Sequence, residues 1–558
     1  MNNNIFIFIV TSLFLCIPFH SSSQEIDRAI SADVCVYGAS PAGIFSAIAV
    51  AREGNTVVIV EPVHKIGGLL GSGFRMQQDA PSGAHLGGLT GDFYKRDVSL
   101  PPLRHYQAAE AFNIATLQAM MDRYKERITV ITDHRLESVE KSDETIRKAR
   151  FEYAPPGKNG VPPVHPLSDA LIEVSATIFI DASYEGDLMA FSGVSYRVGK
   201  ESIAEYGESL AGTVISQTFP GVDPYVEPGN PSSGILSCIT PDPLGKVGDS
   251  SRFFMGYNFK LAWERNPSKE HPGIPIGPPE KKNKDVYELL KRYKNAGYEV
   301  TWPEENFRRG ELMTGALPGA QLDYPDGNWE IRSKVWQSFI DHVKTLTDFT
   351  QTEFRFISGI NEDTDGWPFL YIRGGRRMVG AYVMKQQDLQ LQTDIKTPIG
   401  LGYYKVDIYP NRLVVLDDGT LAQEGNVFQL VSPGPYQIPY GAITPQKKEC
   451  QNLLVPLCMS ASHVAYSSIR MEATYMVMGE SAGIAASLAL KSRCAVQDID
   501  GAQLTKKLEQ YGQIVKWDGL GYDIGWRSNI FGIPQEETPR WETHPEEYQR
   551  IPVSELRK

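Results

Sequence analysis

Two short apolar runs flank an amphipathic stretch near the start of the chain. Residues 33–37 (DVCVY) and 56–60 (TVVIV) are mostly apolar, which is typical of strands buried on both faces of a parallel sheet. Residues 41–53 repeat apolar side chains at helical spacing, with Pro41 at the favoured first helical position and Gly54 as a cap. The pattern predicts a βαβ unit, and Glu61 ends its second strand.

Similar apolar, small-residue stretches occur at both ends of the chain, and a different composition separates them. The middle, 197–434, is rich in Pro, Gly, Tyr and Trp. The other predicted elements are helices over 116–127, 286–296, 336–345 and 475–490, and strands over 128–131, 176–180 and 452–457. We therefore expect an α/β fold with a Rossmann-type domain split across the chain and an inserted mixed α+β substrate domain. The expected boundaries are 25–196 and 435–516 for the two parts of the split domain, 197–434 for the insert and 517–558 for a surface tail.

The first residues have the pattern of an export signal. An apolar stretch over 5–19 is short for a bilayer span and is followed by Ser21, Ser22 and Ser23. We expect a signal peptide over 1–24 and an exported, periplasmic protein without a membrane span after cleavage. The alternative is an uncleaved N-terminal anchor, because no Lys or Arg precedes the apolar stretch.

Charge and cysteine usage narrow the class of protein. The chain of 558 residues has a formal net charge of −12, which argues against a nucleic-acid partner, since such proteins need a basic face. Its six cysteines are scattered, with no CxxC pair and no spacing typical of a metal site, so we expect neither a disulfide scaffold nor a bound metal.

A glycine motif follows the first predicted strand. Residues 38–43 (GASPAG) form a variant of GxGxxG, the turn that directs a helix N-terminus at a pyrophosphate. Ser40 replaces the middle glycine and could donate its hydroxyl to a phosphate oxygen. Glu61 stands 23 residues after Gly38, where an acid accepts hydrogen bonds from the adenosine ribose. The pattern predicts a dinucleotide site; the alternative is a glycine turn in an α/β fold without a ligand. The predicted contacts here are Gly38, Ser40, Pro41, Ala42, Gly43, Glu61 and Pro62.

A second glycine-rich segment distinguishes between the dinucleotides. Residues 67–73 (GGLLGSG) come soon after Glu61, where glycines allow backbone to pass close to a pyrophosphate or a flavin ring. An NAD domain has no need for them at this point, so the segment favours FAD over NAD; the alternative is a flexible surface loop. The predicted contacts are Gly67, Gly68, Leu69 and Ser72.

The chain resembles the FAD-dependent oxidoreductase family of the glutathione-reductase-like superfamily, and within it a bacterial, secreted branch. The resemblance extends from about residue 32 to 513. The stretches that carry it include VYGASPAGIFSAIAVAREG, IGGLLGSGF, GGLTGDFYKR, FIDASYEGDLMAFSGVSYRVGKES, YNFKL, YIRGGRRMVGAYVM and the segment from PYGAITPQ to AASLAL.

The resemblance implies further cofactor contacts. Asp181 and Ala182 are expected beside the FAD, and residues 460–463 with the following helix are expected to cover the flavin ring. The N-terminal end of a buried helix near 476–490 can stabilise an anionic reduced flavin, although ordinary core packing explains the same pattern. The expected contacts in this half of the chain are Ser460, Ala461, His463 and Ala482.

His463, Arg470 and Arg373 are the candidates for substrate chemistry. An imidazole can take or return a proton at neutral pH, and a guanidinium can bind a carboxylate or stabilise negative charge. A structural role is the alternative for each: flavin contact for His463, and an ion pair for Arg373. In the family we expect a Ser-His pair directly after Asp407, but this chain has Ile408 and Tyr409, which implies a different substrate or proton route.

We therefore expect hydride transfer between a small organic substrate and flavin N5, with an electron acceptor that the sequence does not identify. Trp302, Trp329, Trp367 and Tyr371 would suit stacking on sugar rings, and so favour a sugar or sugar acid, although they equally suit a core. The alternatives are a non-redox lyase or isomerase supported by flavin, and a carbohydrate-binding flavoprotein.

Overall fold

The computed structural model describes residues 26–72, 85–95, 106–264, 272–298, 300, 317–351, 355–432 and 434–517. The expected signal peptide (1–24), Gly73, Trp302 and the tail after residue 517 lie outside these ranges.

Helices and strands occur along the whole of the described chain. The helices are α1 (Pro41–Arg52), α2 (Gly88–Lys95), α3 (Tyr106–Asp122), α4 (Asp187–Phe191), α5 (Ile203–Tyr206), α6 (Lys284–Asn295), α7 (Trp329–Thr350), α8 (Gln386–Leu389), α9 (His463–Ile469), α10 (Glu472–Ser492) and α11 (Gly501–Gln510). The strands are β1 (Ile26–Tyr37), β2 (Val57–Val60), β3 (Ile128–Ile131), β4 (His134–Ser142), β5 (Thr145–Tyr153), β6 (Leu171–Asp181), β7 (Tyr196–Arg197), β8 (Ile215–Thr218), β9 (Asn258–Phe259), β10 (Trp263–Glu264), β11 (Ile274–Pro275), β12 (Arg355–Phe356), β13 (Leu370–Tyr371), β14 (Arg377–Met378), β15 (Pro398–Gly402), β16 (Val406–Val415), β17 (Leu421–Gln429), β18 (Tyr436–Pro439) and β19 (Leu453–Leu454).

The largest sheet joins strands from distant parts of the chain. Its order is β3-β2-β1-β6-β5-β4, and the first four strands run parallel, as the apolar runs predicted. The first half of β6 pairs with β5 in antiparallel fashion, and its last residues pair with β19, where Leu453 and Leu454 lie opposite Phe179 and Ile180. The two-residue strand β19 therefore belongs to the same sheet as β1, which begins at residue 26.

Helices α1 and α10 pack closely because small residues face each other. A Cβ atom on Gly479 would lie 2.2 Å from the Ala42 carbonyl oxygen, and one on Gly483 would lie 2.3 Å from the Ser46 carbonyl oxygen. The Ser46 hydroxyl donates to the Gly479 carbonyl at 2.8 Å. The two ends of the chain thus share one hydrophobic core, with α10 against the first helix of the βαβ unit.

A second hydrophobic core lies in the middle of the chain. It packs α6 and α7 around residues such as Phe339, Tyr293 and Trp367. Smaller sheets surround it: β16-β17-β8, β10-β12-β11, and pairs such as β13 with β9. The expected domain boundaries stay a prediction.

Several elements differ in length from their sequence-based prediction. The helix predicted over 116–127 is observed as α3 and ends at Asp122, because Tyr124 and Arg127 make turn hydrogen bonds before β3 begins. The strand predicted over 452–457 is only the two residues of β19. No helix among the described residues has the length and apolar character of a membrane span.

Candidate functional site

The turn between β1 and α1 depends on two glycines. Gly38 has a φ of +96°, and a Cβ atom there would lie 2.6 Å from the Ala182 carbonyl oxygen. A Cβ atom on Gly43 would lie 1.9 Å from the Gly38 carbonyl oxygen. Any side chain at either position would therefore push α1 away from the sheet.

Ser40 closes this turn. Its hydroxyl donates to the Ala182 carbonyl oxygen at 2.7 Å and accepts from the Gly43 N–H at 3.3 Å, which makes Ser40 the N-cap of α1. Pro41 and Ala42 follow as buried first residues of the helix. Ser40 thus links the start of α1 to the residue after β6 by a hydrogen bond. The sequence had indicated a phosphate contact for this hydroxyl and not this structural role.

Glu61 is buried beside the same turn. Its carboxylate accepts from the Ala39 N–H at 2.5 Å and from the Val63 N–H at 3.2 Å. Pro62 lies between Glu61 and Val63 in the chain. Burial raises the pKa of Glu61 to about 8, although these two N–H groups act in the opposite direction. Further hydrogen-bond donors would stabilise the ionised form of this buried carboxyl. The site therefore suits a ligand that brings hydroxyl groups.

The second glycine segment passes directly over the first turn. The Gly67 N–H donates to the Ala39 carbonyl oxygen at 2.7 Å. A Cβ atom on Gly68 would lie 2.6 Å from the Tyr184 hydroxyl, and the Leu69 N–H donates to that hydroxyl at 3.2 Å. At the end of the segment, Ser72 accepts from the Phe369 N–H at 2.6 Å. The two predicted glycine segments therefore lie together.

Asp181 and Ala182 lie at the end of β6, next to the turn. The Ala182 N–H donates to the Tyr37 carbonyl at 2.8 Å. The Asp181 carboxylate accepts from the Ser183 hydroxyl at 2.6 Å and the Met189 N–H at 2.8 Å. Burial raises the pKa of Asp181 to about 6. Its side chain thus stabilises its own loop, and the Ala182 backbone approaches the glycine turn.

A hydrogen-bond chain connects this region to the start of α10. The Tyr184 hydroxyl, which accepts from Leu69, donates to the Glu472 carboxylate at 2.9 Å. The other carboxylate oxygen of Glu472 is buried and has no hydrogen-bond partner. Burial raises the pKa of Glu472 to about 8. Sequence reasoning missed this chain, because it links residues 115 and 288 positions apart.

The residues expected to cover the flavin ring are buried before and in α9. Ser460 accepts from the Gly380 N–H at 3.0 Å, and the Ala461 carbonyl accepts from Arg377 at 2.6 Å. His463, the first residue of α9, donates its backbone N–H to Glu201 at 2.9 Å. Ala482 is buried further along, in α10.

The His463 side chain is buried, and the charged groups that shift its pKa are positive. Its Nε2 atom is buried without a hydrogen-bond partner. Burial, with the nearby charges of Arg377 and Lys200, lowers the pKa of His463 well below its usual value. The imidazole is therefore neutral at neutral pH, which leaves it able to accept a proton or a hydrogen bond.

Arg373 and Arg470 face the same two tyrosine rings. The Arg373 guanidinium carbon lies 4.3 Å from the Tyr371 ring centre and 3.6 Å from that of Tyr409. The Arg470 carbon lies 5.8 Å and 5.5 Å from the same centres. Arg470 also donates to the Tyr371 hydroxyl at 3.0 Å and pairs with Asp407 at 3.1 Å. Tyr409, at the position where a histidine was expected, is thus a wall of this cluster.

Other residues considered in the sequence have structural contacts. Arg376 pairs with Asp187, and Arg377 pairs with Glu201. The Trp367 ring packs against Phe259 and Phe356 inside the second core. The Trp329 ring lies 4.2 Å from the guanidinium carbon of Arg135. Of the three aromatic candidates for sugar stacking that the structure describes, Tyr371 is the one that lies among the charged candidates.

The fold and these contacts define a class of protein: an α/β protein with a dinucleotide-type turn, whose sheet and core join both ends of the chain. The particular family follows from the sequence match. Residues 33–508 match the family described as FAD dependent oxidoreductase, and the chain belongs to this family. The expectations of an FAD-dependent oxidoreductase and of FAD as its cofactor are therefore confirmed.

Similarity to individual proteins is much weaker than similarity to the family. No curated protein matches the chain. An anhydrotetracycline hydroxylase from Streptomyces rimosus is 12% identical over 31% of this chain and 36% of its own, with a TM-score of 0.21. A geranylgeranyl bacteriochlorophyll reductase-like protein from Thermoplasma acidophilum is 16% identical over 30% and 43%, with a TM-score of 0.20. A p-nitrophenol 4-monooxygenase from Pseudomonas putida is 12% identical over 31% and 46%, with a TM-score of 0.20. The match thus spans less than half the length of these solved structures, and the family match carries the assignment.

Proposed function

We propose that this protein transfers a hydride between a carbon atom of a small organic substrate and FAD, at a site beside the start of α10. The observation that carries the proposal is the hydrogen-bond chain from Leu69 through Tyr184 to Glu472, which connects the second glycine segment to that helix. The same segment contacts the dinucleotide-type turn through the bond from the Gly67 N–H to the Ala39 carbonyl oxygen. His463 and Arg470 precede the same helix start in sequence. A cofactor that extends from the turn to α10 would lie next to these candidates.

The residues around the turn suit the cofactor. The backbone at Gly38, Gly43 and Gly67 leaves no room for side chains, and Glu61 has acceptor capacity for ribose hydroxyls. At the other end, Glu472 Oε2 is a buried polar atom without a partner, near the N-terminus of α10. When bound, FAD supplies a two-electron hydride acceptor or donor at its N5 atom.

The roles of the protein groups follow from their charge. His463 is held in its neutral, base form and is proposed to take the substrate proton at Nε2. Arg470 and Arg373 are proposed to hold an oxygen-bearing part of the substrate and to stabilise negative charge as it develops. The buried position of all three excludes bulk water from the reacting atoms.

We further propose that the FAD-binding domain is assembled from 25–196 and 435–516, with 197–434 as the inserted substrate domain. The pairing of β19 with β6 and the packing of α10 on α1 support this division. A glutathione-reductase-like superfamily membership and a bacterial secreted branch are part of the same proposal, as is a sugar or sugar acid as substrate.

Anaerobic absorbance spectroscopy tests the redox proposal. Purified protein containing FAD is mixed, without oxygen, with a panel of sugars and sugar acids, and the visible band of oxidised flavin is followed. The proposal expects at least one compound to bleach the band. A compound that is converted to product with no bleaching, even transient, would instead support lyase or isomerase chemistry.

The N-terminal apolar stretch over 5–19 motivates a proposal about location. We propose that the mature protein begins near Gln24 and is periplasmic. Because no twin-arginine pair precedes the stretch, the chain would cross unfolded and bind FAD afterwards. Cell fractionation with N-terminal sequencing tests this: protein in the cytoplasm with Met1 intact would contradict export and leave the redox proposal unaffected.

A further inference from the structure

Arg373 is a buried cation without a directly paired anion. It is 1% exposed. Its Nε donates to the Gly256 carbonyl at 2.8 Å and its Nη2 to the Asn258 amide oxygen at 2.5 Å, and both acceptors are uncharged. Its Nη1 has no hydrogen-bond partner. Arg470 and Arg376, by comparison, each pair with a carboxylate, and within the described part of the chain no carboxylate pairs with Arg373.

Leaving a guanidinium in this state is costly. A buried charge without a counter-ion loses its hydration and gains little in return, so natural proteins pair such groups or place them where a ligand supplies the opposite charge. Arg470 adds to the positive potential at Arg373: although Arg470 pairs with Asp407, its charge acts against the charged form of Arg373. The cluster is therefore short of negative charge.

The unused donors of the two arginines belong to the same cluster. Arg470 Nε is buried without a hydrogen-bond partner, as is Arg373 Nη1. Both guanidiniums lie within 6 Å of the Tyr371 and Tyr409 ring centres, so the rings form common walls.

We propose that Arg373 Nη1 and Arg470 Nε bind the carboxylate of a small organic acid, which makes an organic acid the substrate class of this enzyme. Two N–H donors match the two oxygens of a carboxylate, whereas a phosphate would bring further charged oxygens against the aromatic walls. The inference rests on the proposed function, because it assigns this cluster to the substrate side of the same site.

Calorimetric titration of the protein with FAD bound tests the inference without requiring turnover. The probes are two matched pairs: acetate against acetamide, and gluconate against sorbitol. In each pair the carboxylate is replaced by a neutral group of similar size. The inference expects at least one of the two carboxylates to bind, and its neutral counterpart not to bind at the same concentrations.

Three variants locate the binding. Arg373→Gln is expected to weaken carboxylate binding by about tenfold or more, because it removes a charge-assisted hydrogen bond. Arg373→Lys keeps the positive charge but loses the forked N–H donors of the guanidinium. Its carboxylate affinity is therefore expected to lie between those of Arg373→Gln and the wild type. Arg252→Gln is the control, since Arg252 has a 60% exposed side chain and pairs with Asp242; its affinity is expected to equal that of the wild type.

Several results would overturn the inference. They are the absence of carboxylate binding to the wild-type protein, equal affinity in wild type and Arg373→Gln, and tighter binding of inorganic phosphate than of either carboxylate. Loss of FAD from a folded Arg373→Gln protein would also overturn it, because the anion paired with Arg373 would then be the cofactor. If Arg373→Gln does not fold, the wild-type comparison of each matched pair still decides. Carboxylate binding without flavin reduction by any acid would contradict the proposed redox function alone.

Discussion

At the scale of single residues, the site consists of buried ionisable groups whose protonation depends on what binds. Glu61, Glu472 and His463 are each shifted by burial toward their neutral form. Burying the charged form of such a group costs less free energy when a ligand supplies hydrogen bonds or an opposite charge. The site is therefore expected to titrate differently with and without its cofactor.

Glu61 gives the first prediction. In the protein without FAD, burial raises the pKa of Glu61 to about 8, so the carboxyl is mostly protonated at pH 7. Ribose hydroxyls donate to the ionised form, and binding must release the proton. FAD affinity is thus expected to rise with pH, by up to about tenfold per pH unit, and to level off above pH 8. Fluorescence titration of the apoprotein measures it.

Two variants complete this experiment. Glu61→Gln is expected to remove the pH dependence and to weaken FAD binding about tenfold or more. Glu140→Gln, at a carboxylate that is 48% exposed in its pair with Arg150, is the matched control and is expected to behave as the wild type. A wild-type affinity that does not change between pH 6 and 8 would contradict the assignment of Glu61.

His463 gives the second prediction. Its pKa lies well below 6.5, so the imidazole stays neutral as the pH falls through 6.5. Protonation of His463 is therefore expected not to slow flavin reduction by substrate near pH 6.5. Any decrease in rate caused by its protonation is expected at lower pH. His463→Gln is expected to slow the reaction about 100- to 10,000-fold if Nε2 is the base. An acid limb near pH 6.5 that disappears in His463→Gln would show that the imidazolium forms readily.

At the scale of elements, the α1 turn is the feature on which cofactor binding depends. Gly43→Leu is expected to abolish FAD binding, since even a Cβ atom would lie 1.9 Å from the Gly38 carbonyl oxygen. Ser40→Gly is expected to retain FAD with a small loss of stability, because glycine is a tolerable N-cap and restores the usual motif. Flavin occupancy of the purified variants measures the difference. Equal occupancy would show that the turn does not hold the cofactor.

Elements were predictable from the sequence where the signal is local. The strands β2 and β3 and the helix α1 follow from continuous apolar runs, a proline at the first helical position and helical spacing. α7 was predicted over 336–345 but spans Trp329–Thr350, because polar residues such as Glu330, Arg332 and Lys334 interrupt the apolar pattern in its first turns. Asn328, its N-cap, was the local signal that could have located the start.

The candidate site was predictable in part for the same reason. The glycine turn, Glu61 and the second glycine segment lie within 35 residues of one another in the chain. The contacts Tyr184–Glu472 and Arg373–Tyr409 join distant segments, and no local pattern encodes them. Arg373 was a candidate in the sequence, but its lack of a carboxylate partner is visible only when its neighbours are known.

At the scale of the whole molecule, a buried ion pair connects the two cores. Arg332 of α7 donates to both oxygens of Asp187, at the start of α4, at 2.6 and 2.7 Å. Burial alone would raise the pKa of Asp187, but Arg332 and Arg376 lower it to about 2. Helix α7 of the second core is thereby attached to α4, which follows the last strand residue of β6 by six positions.

Removing this connection tests how the parts of the molecule depend on each other. Arg332→Met is expected to lower the free energy of unfolding by about 3–5 kcal/mol, because it leaves a buried carboxylate with only Arg376. Lys334→Met on the same helix removes an exposed pair with Glu330 and is expected to cost at most about 1 kcal/mol. Denaturant titration compares them, and equal midpoints would contradict a stabilising role for the Arg332–Asp187 pair.

The most direct test of the whole account is the identity of the bound cofactor. We expect an adenine dinucleotide with a flavin, because Glu61 and the glycine turn suit the adenosine and pyrophosphate parts, and we propose that the flavin ring lies beside α10. Mass spectrometry of the cofactor released by heat from the purified protein decides the matter. We expect the mass of FAD; FMN alone, or no flavin after reconstitution with FAD, would contradict the assignment of this site.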